Sequence, residues 1–218
     1  NGDGSDPNTA NNSATDTDTV IPALPALTIL DNFNRANANT LNNGTNWSQV
    51  VVPLLGASIR VNTNQAFAAL AGAAYWNSPA GGFGAKQGAA FTFASAPTGL
   101  LVPNTLILKA GGGTATAPAN YISIGYVTLA GQVVVATTVG GTTTLRGSFS
   151  ATFASGDTLS AVADATGTVY VYKTSGAVTT LVGMVTIPGA GFWTGTGRIG
   201  LQLPTNARVD NFSGGTLP

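Results

Sequence analysis

Eight aspartates, at positions 3, 6, 16, 18, 31, 157, 164 and 210, are the only acids in this sequence, which has no Glu, no His and no Cys. Without imidazole or thiolate there is no base to activate a nucleophile, and no triad can be assembled. A zinc site would have aspartate ligands alone, against the usual nitrogen and sulfur donors. Cleaving a glycosidic bond by the two-carboxylate route needs acids placed on both sides of it. Asp157 and Asp164 flank one short segment, so on a strand they lie near its opposite ends. The expectation is a protein that is not an enzyme.

Calcium is the one cofactor the residues allow. Asp3 and Asp6 in Asn1-Gly2-Asp3-Gly4-Ser5-Asp6-Pro7-Asn8, with Asp16 and Asp18, gather hard oxygen ligands. They resemble the D-x-D-G-x-x-D runs of thrombospondin type 3 repeats, except that Thr19-Val20 stands where Asp-Gly is expected. The alternative for this stretch is a solvated linker. Gly111-Gly112-Gly113 and Gly81-Gly82-Phe83-Gly84 lack the G-x-x-x-x-G-K-[ST] form and open no helix, so they read as loops rather than phosphate cradles. Aromatic rings offer a second chemistry, stacking on sugar faces. Tyr75, Trp76 and Trp193 are the candidate glycan-binding residues, with Trp47 and Phe192 beside them in the same class. Tyr75-Trp76 and Phe192-Trp193 are adjacent pairs, so on a strand one ring of each turns inward and the other outward. The alternative is core packing with one exposed ring.

These side chains need a frame, and the composition names it. Charged residues make up 7% of the 218 positions, and eight basic side chains balance the eight acids. No basic stripe exists to displace counterions, which argues against nucleic acid and anionic membrane surfaces. No apolar run is long enough to span a bilayer as a helix, and the polar first residues do not read as a leader peptide. Helix faces usually carry Glu and Lys, but here Thr, Ala, Gly, Val and Asn fill those places. Short β segments separated by Gly, Pro and Asn are expected at 27–33, 47–52, 57–62, 66–71, 89–94, 105–109, 121–129, 132–138, 143–149, 158–163, 168–173, 178–187, 197–203 and 207–213. Strands at that spacing make an all-β sandwich or barrel. Residues 1–26 form an extended tail, polar at first and then containing Pro22 and Pro25, ahead of a β domain over 27–218. Val20, Leu24 and Leu27 are its apolar anchors. They are expected to tether the chain to a neighbouring subunit by lying in a groove there; the rival is a groove on its own domain.

Asp31-Asn32-Phe33-Asn34-Arg35, the polar run to Trp47, and the closing Gly197-Arg198-Ile199-Gly200-Leu201 and Asp210-Asn211-Phe212 resemble concanavalin-A-like, laminin-G-like jelly-roll domains. The resemblance implies two antiparallel sheets in which the first and last strands pair, setting the two D-N-F segments side by side. Each D-N-F acid is expected to pair with Arg35 or Arg208 or to cap loop amides. The family includes lectins, adhesive modules and glycosidases. The glucanase branch carries an E-x-D-x-x-E strand that this Glu-free chain cannot supply. Two functions follow. One is an extracellular or cell-surface structural subunit of a fibre, sheath or matrix, assembling with copies of itself because few charges guard its sheet edges. The other is a glycan-binding or adhesive module.

Overall fold

The structure is a computed structural model that describes residues 22–42, 46–52, 56–77, 79–97 and 102–218. Strands and turns account for nearly all of it, with one 3-10 turn at Phe192–Thr194. In chain order the strands are β1 (Thr28–Asp31), β2 (Trp47–Gln49), β3 (Val51–Val52), β4 (Gly56–Ala57), β5 (Ile59–Asn62), β6 (Gln65–Ala68), β7 (Gly72–Trp76), β8 (Gln87–Phe93) and β9 (Asn104–Gly111). They continue as β10 (Asn120–Val127), β11 (Gln132–Val139), β12 (Thr142–Ser150), β13 (Thr158–Ala163), β14 (Thr168–Ser175), β15 (Val178–Thr186), β16 (Arg198–Leu203) and β17 (Arg208–Thr216).

Two antiparallel sheets make the sandwich. The first runs β15-β14-β13-β8-β17-β6-β5, with β1 also paired to β17, and the second runs β12-β11-β10-β9-β16-β7-β2. Alternation along each strand sets inside from outside. In β5 and β6, Ile59, Val61, Ala66 and Ala68 face the core, while Phe67 faces out beneath the Arg208 guanidinium. Gly140-Gly141 joins β11 to β12 with positive φ at both residues, the turn whose twist matches that of the strands it connects.

The chain has the expected jelly roll. β1 lies antiparallel on β17 with Asp31 opposite Phe212, and both Phe33 and Phe212 are fully buried. Phe33, Trp47, Trp76 and Phe212 pack ring on ring in one part of the core. Phe91, Phe93, Tyr126 and Phe153 do the same in another. The outer strands β12 and β15, one from each sheet, meet through Phe149, whose ring lies on Gly183. A Cβ at Gly183 would stand 2.2 Å from that ring, so the absence of a side chain there is what closes this side of the sandwich.

Three expected strands change: 47–52 divides into β2 and β3, 57–62 divides into β4 and β5, and 66–71 is cut short. The segment expected as a single strand over 66–71 turns at Ala69-Leu70-Ala71, and a separate strand, β7, follows between β16 and β2. Ala-rich sequence gives little strand propensity of its own. Pairing with both neighbours makes β7 a strand.

Candidate functional site

The polar residues of the D-N-F motifs are clustered at one strand pair. Asp31 sits at the end of β1 and accepts from the Phe33 amide (2.8 Å), Arg35 Nη1 (2.6 Å), Arg35 Nη2 (3.0 Å) and Trp47 Nε1 (2.8 Å). Arg35 also donates to the Leu41 carbonyl. The D-x-F-x-R segment and the Trp are therefore one structural lock. It holds Phe33 at a φ of 51°, a left-handed conformation that is costly for a bulky side chain. Asp210, opposite Thr92 on β8, accepts from the amide of Asn211. Burial and the nearby Asp31 carboxylate push its own carboxyl above the usual range.

The remaining described acids are also structural. Asp157 pairs with Lys173 (2.9 Å) and accepts from the Ala154 amide. Burial raises its carboxyl, but Lys173, the Ala154 amide and Ser175 outweigh this and hold it below the usual value. Asp164 caps the β13–β14 turn, accepting from the amides of Thr166 and Thr168. The two acids stand at opposite ends of β13, as their spacing required. No group of three or more acidic, His or Cys side chains able to hold a metal occurs among the described residues. Asp3, Asp6, Asp16 and Asp18 lie outside the described residues, as does Val20.

Lys109 is a functional-looking residue that no local motif marks. It sits at a positive-φ bulge of β9 and is almost wholly buried. Its ammonium donates to the carbonyls of Ala85, Asp164 and Gly195, tying three loops together. Its amide donates to Gln87 Oε1, and Gln87 Nε2 in turn donates to Phe83, Gly84 and Gly197 carbonyls. Burial lowers the Lys109 ammonium to about 8, with Asp164 pulling the other way.

The three candidate sugar-stacking rings do not form a platform. Trp76 is turned into the core, 7% exposed, edge-on to Trp47. Tyr75 faces the opposite way on β7 but is 6% exposed, packed with Ile107 and Ala110 and roofed by the Arg198 guanidinium at 5.5 Å. Burial first, and Tyr121 second, raise the Tyr75 hydroxyl to about 12. Arg198 is itself held by the Ala115 and Thr114 carbonyls. Trp193 is part-buried in the 3-10 turn, where Nε1 donates to the Gly189 carbonyl and Arg146 covers the ring. The alternation that sends Tyr75 outward also places it among outward apolar neighbours, which cover it.

The open site lies on the outer face of the first sheet. Its floor is two consecutive cross-strand rows. Ser213, Ala90, Ser160, Tyr172 and Leu181 stand opposite one another across β17, β8, β13, β14 and β15. Two residues along, Thr92, Thr158, Thr174 and Thr179 form the second row. Thr92 and Thr158 share a hydrogen bond, as do Thr174 and Thr179, each 2.8 Å. Pro22–Leu27 crosses this face as a strap. Tyr172 Oη donates to the Pro22 carbonyl (3.0 Å), and Leu27 enters the gap left by the missing side chain of Gly88. Leu24 and Leu27 pack on Val162, Tyr172 and Leu217 of their own chain. A tether to a neighbour would require both leucines to leave this cluster. Between strap and floor runs an open groove of about 600 Å³, with no charged residue in its lining.

Comparison with known proteins sets the class of this architecture. No protein-family model and no curated protein sequence matches the chain. Solved structures do match. A carbohydrate-binding module, CBM66 of Bacillus subtilis, is 12% identical, with a TM-score of 0.52 over 80% of this chain and 98% of that one. The Ca2+-bound exoplasmic/lumenal domain of VIP36 is 10% identical, with a TM-score of 0.56 over 87% of this chain and 90% of that one. A xylan β-1,4-xylosidase of Bacillus halodurans is 11% identical, with a TM-score of 0.54 over 91% of this chain but 40% of the enzyme. At these identities the likeness is one of fold: the chain is a concanavalin-A-like jelly-roll sandwich.

Proposed function

We propose that this chain is a non-catalytic glycan-binding module of an extracellular or cell-surface protein. The observation that carries the reading is the strap-walled groove, open, uncharged and hydroxyl-floored. Its volume falls in the range of small-ligand sites, about 300–1,000 Å³. A pyranose is amphipathic, with C–H faces and a hydroxyl rim. The groove offers Leu24, Leu27 and Leu181 to the former and Thr158, Thr174 and Thr179 to the latter. Structural neighbours point the same way, since CBM66 is a carbohydrate-binding module and VIP36 was solved with mannose-containing ligands. The described acids are occupied in caps and ion pairs, which supports a binding role over hydrolysis.

The test is retention and titration on a panel containing mannan, xylan and their oligosaccharides, with a reducing-sugar assay run alongside. The expected result is binding to at least one neutral glycan without release of reducing ends. Binding to none of them, or hydrolysis abolished by Asp157→Asn with Asp164→Asn, would overturn the reading.

A second reading, a structural subunit of a fibre or sheath, is favoured by one feature. β12 and β15 are nine-residue outer strands carrying one charge between them, Arg146, and exposing Leu145, Val178 and Met184. Natural edges are usually guarded by charge or proline. Filaments in the electron microscope at high concentration would support this reading, and a protein that stays monomeric there would end it.

A further inference from the structure

We propose that the strap is half of the binding site and that the site selects a neutral, extended glycan chain. This deepens the glycan-binding reading and depends on it. Three observations carry it. First, the groove exists only because Pro22–Leu27 stands over the sheet: the floor is the face of the strands, and the wall is this segment. Without the wall the two rows would be a flat, solvent-swept surface. Second, the wall is preorganised. Pro22 and Pro25 fix their own φ and lack an N–H, so the segment cannot join the ladder below it. Its docking rests on the Tyr172–Pro22 hydrogen bond and the Leu24 and Leu27 packing. A wall already rigid before binding adds affinity by lowering the ordering cost.

Third, polarity is divided. Apolar side chains form the wall and the Leu181 end, while the threonine row presents hydroxyls that can both donate and accept. No ammonium, guanidinium or carboxylate reaches the lining. A uronate or sulfated chain would lose water from its anions there with nothing to pair them. A neutral chain lying along the groove would set ring faces on the wall and hydroxyl edges on the row.

The experiment is titration calorimetry of the full chain with xylohexaose, mannohexaose and a galacturonate hexamer. The variants are Leu24→Asp, which places charge in the wall, and Thr179→Lys, which alters the exposed floor and leaves the strap alone. Thermal melting monitors the fold. The expected outcome is binding of a neutral hexamer, weakened at least tenfold by Leu24→Asp and also by Thr179→Lys, with melting temperatures near wild type. Amide exchange at Ala23, Leu24 and Ala26 should slow when the hexamer is bound, a readout that does not depend on a variant folding. If wild type binds no hexamer, the glycan-binding reading itself fails. If it binds but neither Leu24→Asp nor strap exchange responds, the strap is not part of the site. If the galacturonate hexamer binds as tightly as the neutral ones, selection for neutral chains is wrong.

Discussion

Asp31→Ala should be among the most damaging single substitutions in this chain. The carboxylate takes four N–H groups, from Phe33, twice from Arg35, and from the buried indole of Trp47. Removing one partner of a buried ion pair costs about 3–5 kcal/mol. Arg35 keeps partial solvent access and its Leu41 contact, which places its share at the low end or below. A buried N–H left without a partner adds about 1–3 kcal/mol. Together the loss is about 4 kcal/mol, a large share of a typical stability of about 5–15 kcal/mol. At about 2–4 °C per kcal/mol for a domain of this size, the melting temperature should fall by about 8–16 °C. Thermal unfolding followed by circular dichroism at neutral pH reads this directly. If Asp31→Ala melts within about 3 °C of wild type, the lock is not what holds this corner.

Gly183→Ala should lower stability by about 1–3 kcal/mol, because the new methyl displaces the Phe149 ring, and a denaturant midpoint equal to wild type would refute this. Asp157 has a lowered folded-state value, so its contribution is present above the unfolded carboxylate range and is lost as pH falls through the folded value. The stability–pH profile of Asp157→Asn should therefore be flatter than wild type at acid pH. Lys109 behaves in the opposite region. Between about 8 and its ordinary 10.5 the unfolded chain holds the proton that the fold has released, so its contribution to stability rises with pH across that window. Comparing urea midpoints of wild type and Lys109→Met from pH 7.5 to 10 should show that rise in wild type alone.

The sequence makes the frame legible for a physical reason. Strands bounded by Gly, Pro and Asn are written locally, and the two D-N-F segments mark strands that the jelly roll brings together. β7 is not legible because Gly72-Ala73-Ala74 carries no propensity, and its state is set by strands distant in sequence. The groove is hidden more deeply. Thr92, Thr158, Thr174 and Thr179 come from four strands, and only the ladder register aligns them in a row. Leu24 and Leu27 could be recognised as anchors by their spacing around Pro25, but nothing local names Val162, Tyr172 and Leu217 as the surface beneath them. Nothing in its local sequence sets Lys109 apart from the other basic residues. The bulge that turns it inward depends on Gln87 from another strand.

The pairing of β1 with β17 also has a mechanical meaning. Thr28 lies opposite Gly214, so the chain enters at Leu27 and leaves at Leu217 from the same end of one antiparallel pair. Tension drawn between those two points would act as on a zipper, opening one rung at a time rather than shearing all of them together. Zippers of this kind yield at low force. Here the mouth is fastened: Leu24, Leu27 and Leu217 share one apolar cluster immediately ahead of the first rung. The strap that walls the groove is therefore also the clasp that a pull on the chain must release first, and a ligand seated against it would stiffen the module under load.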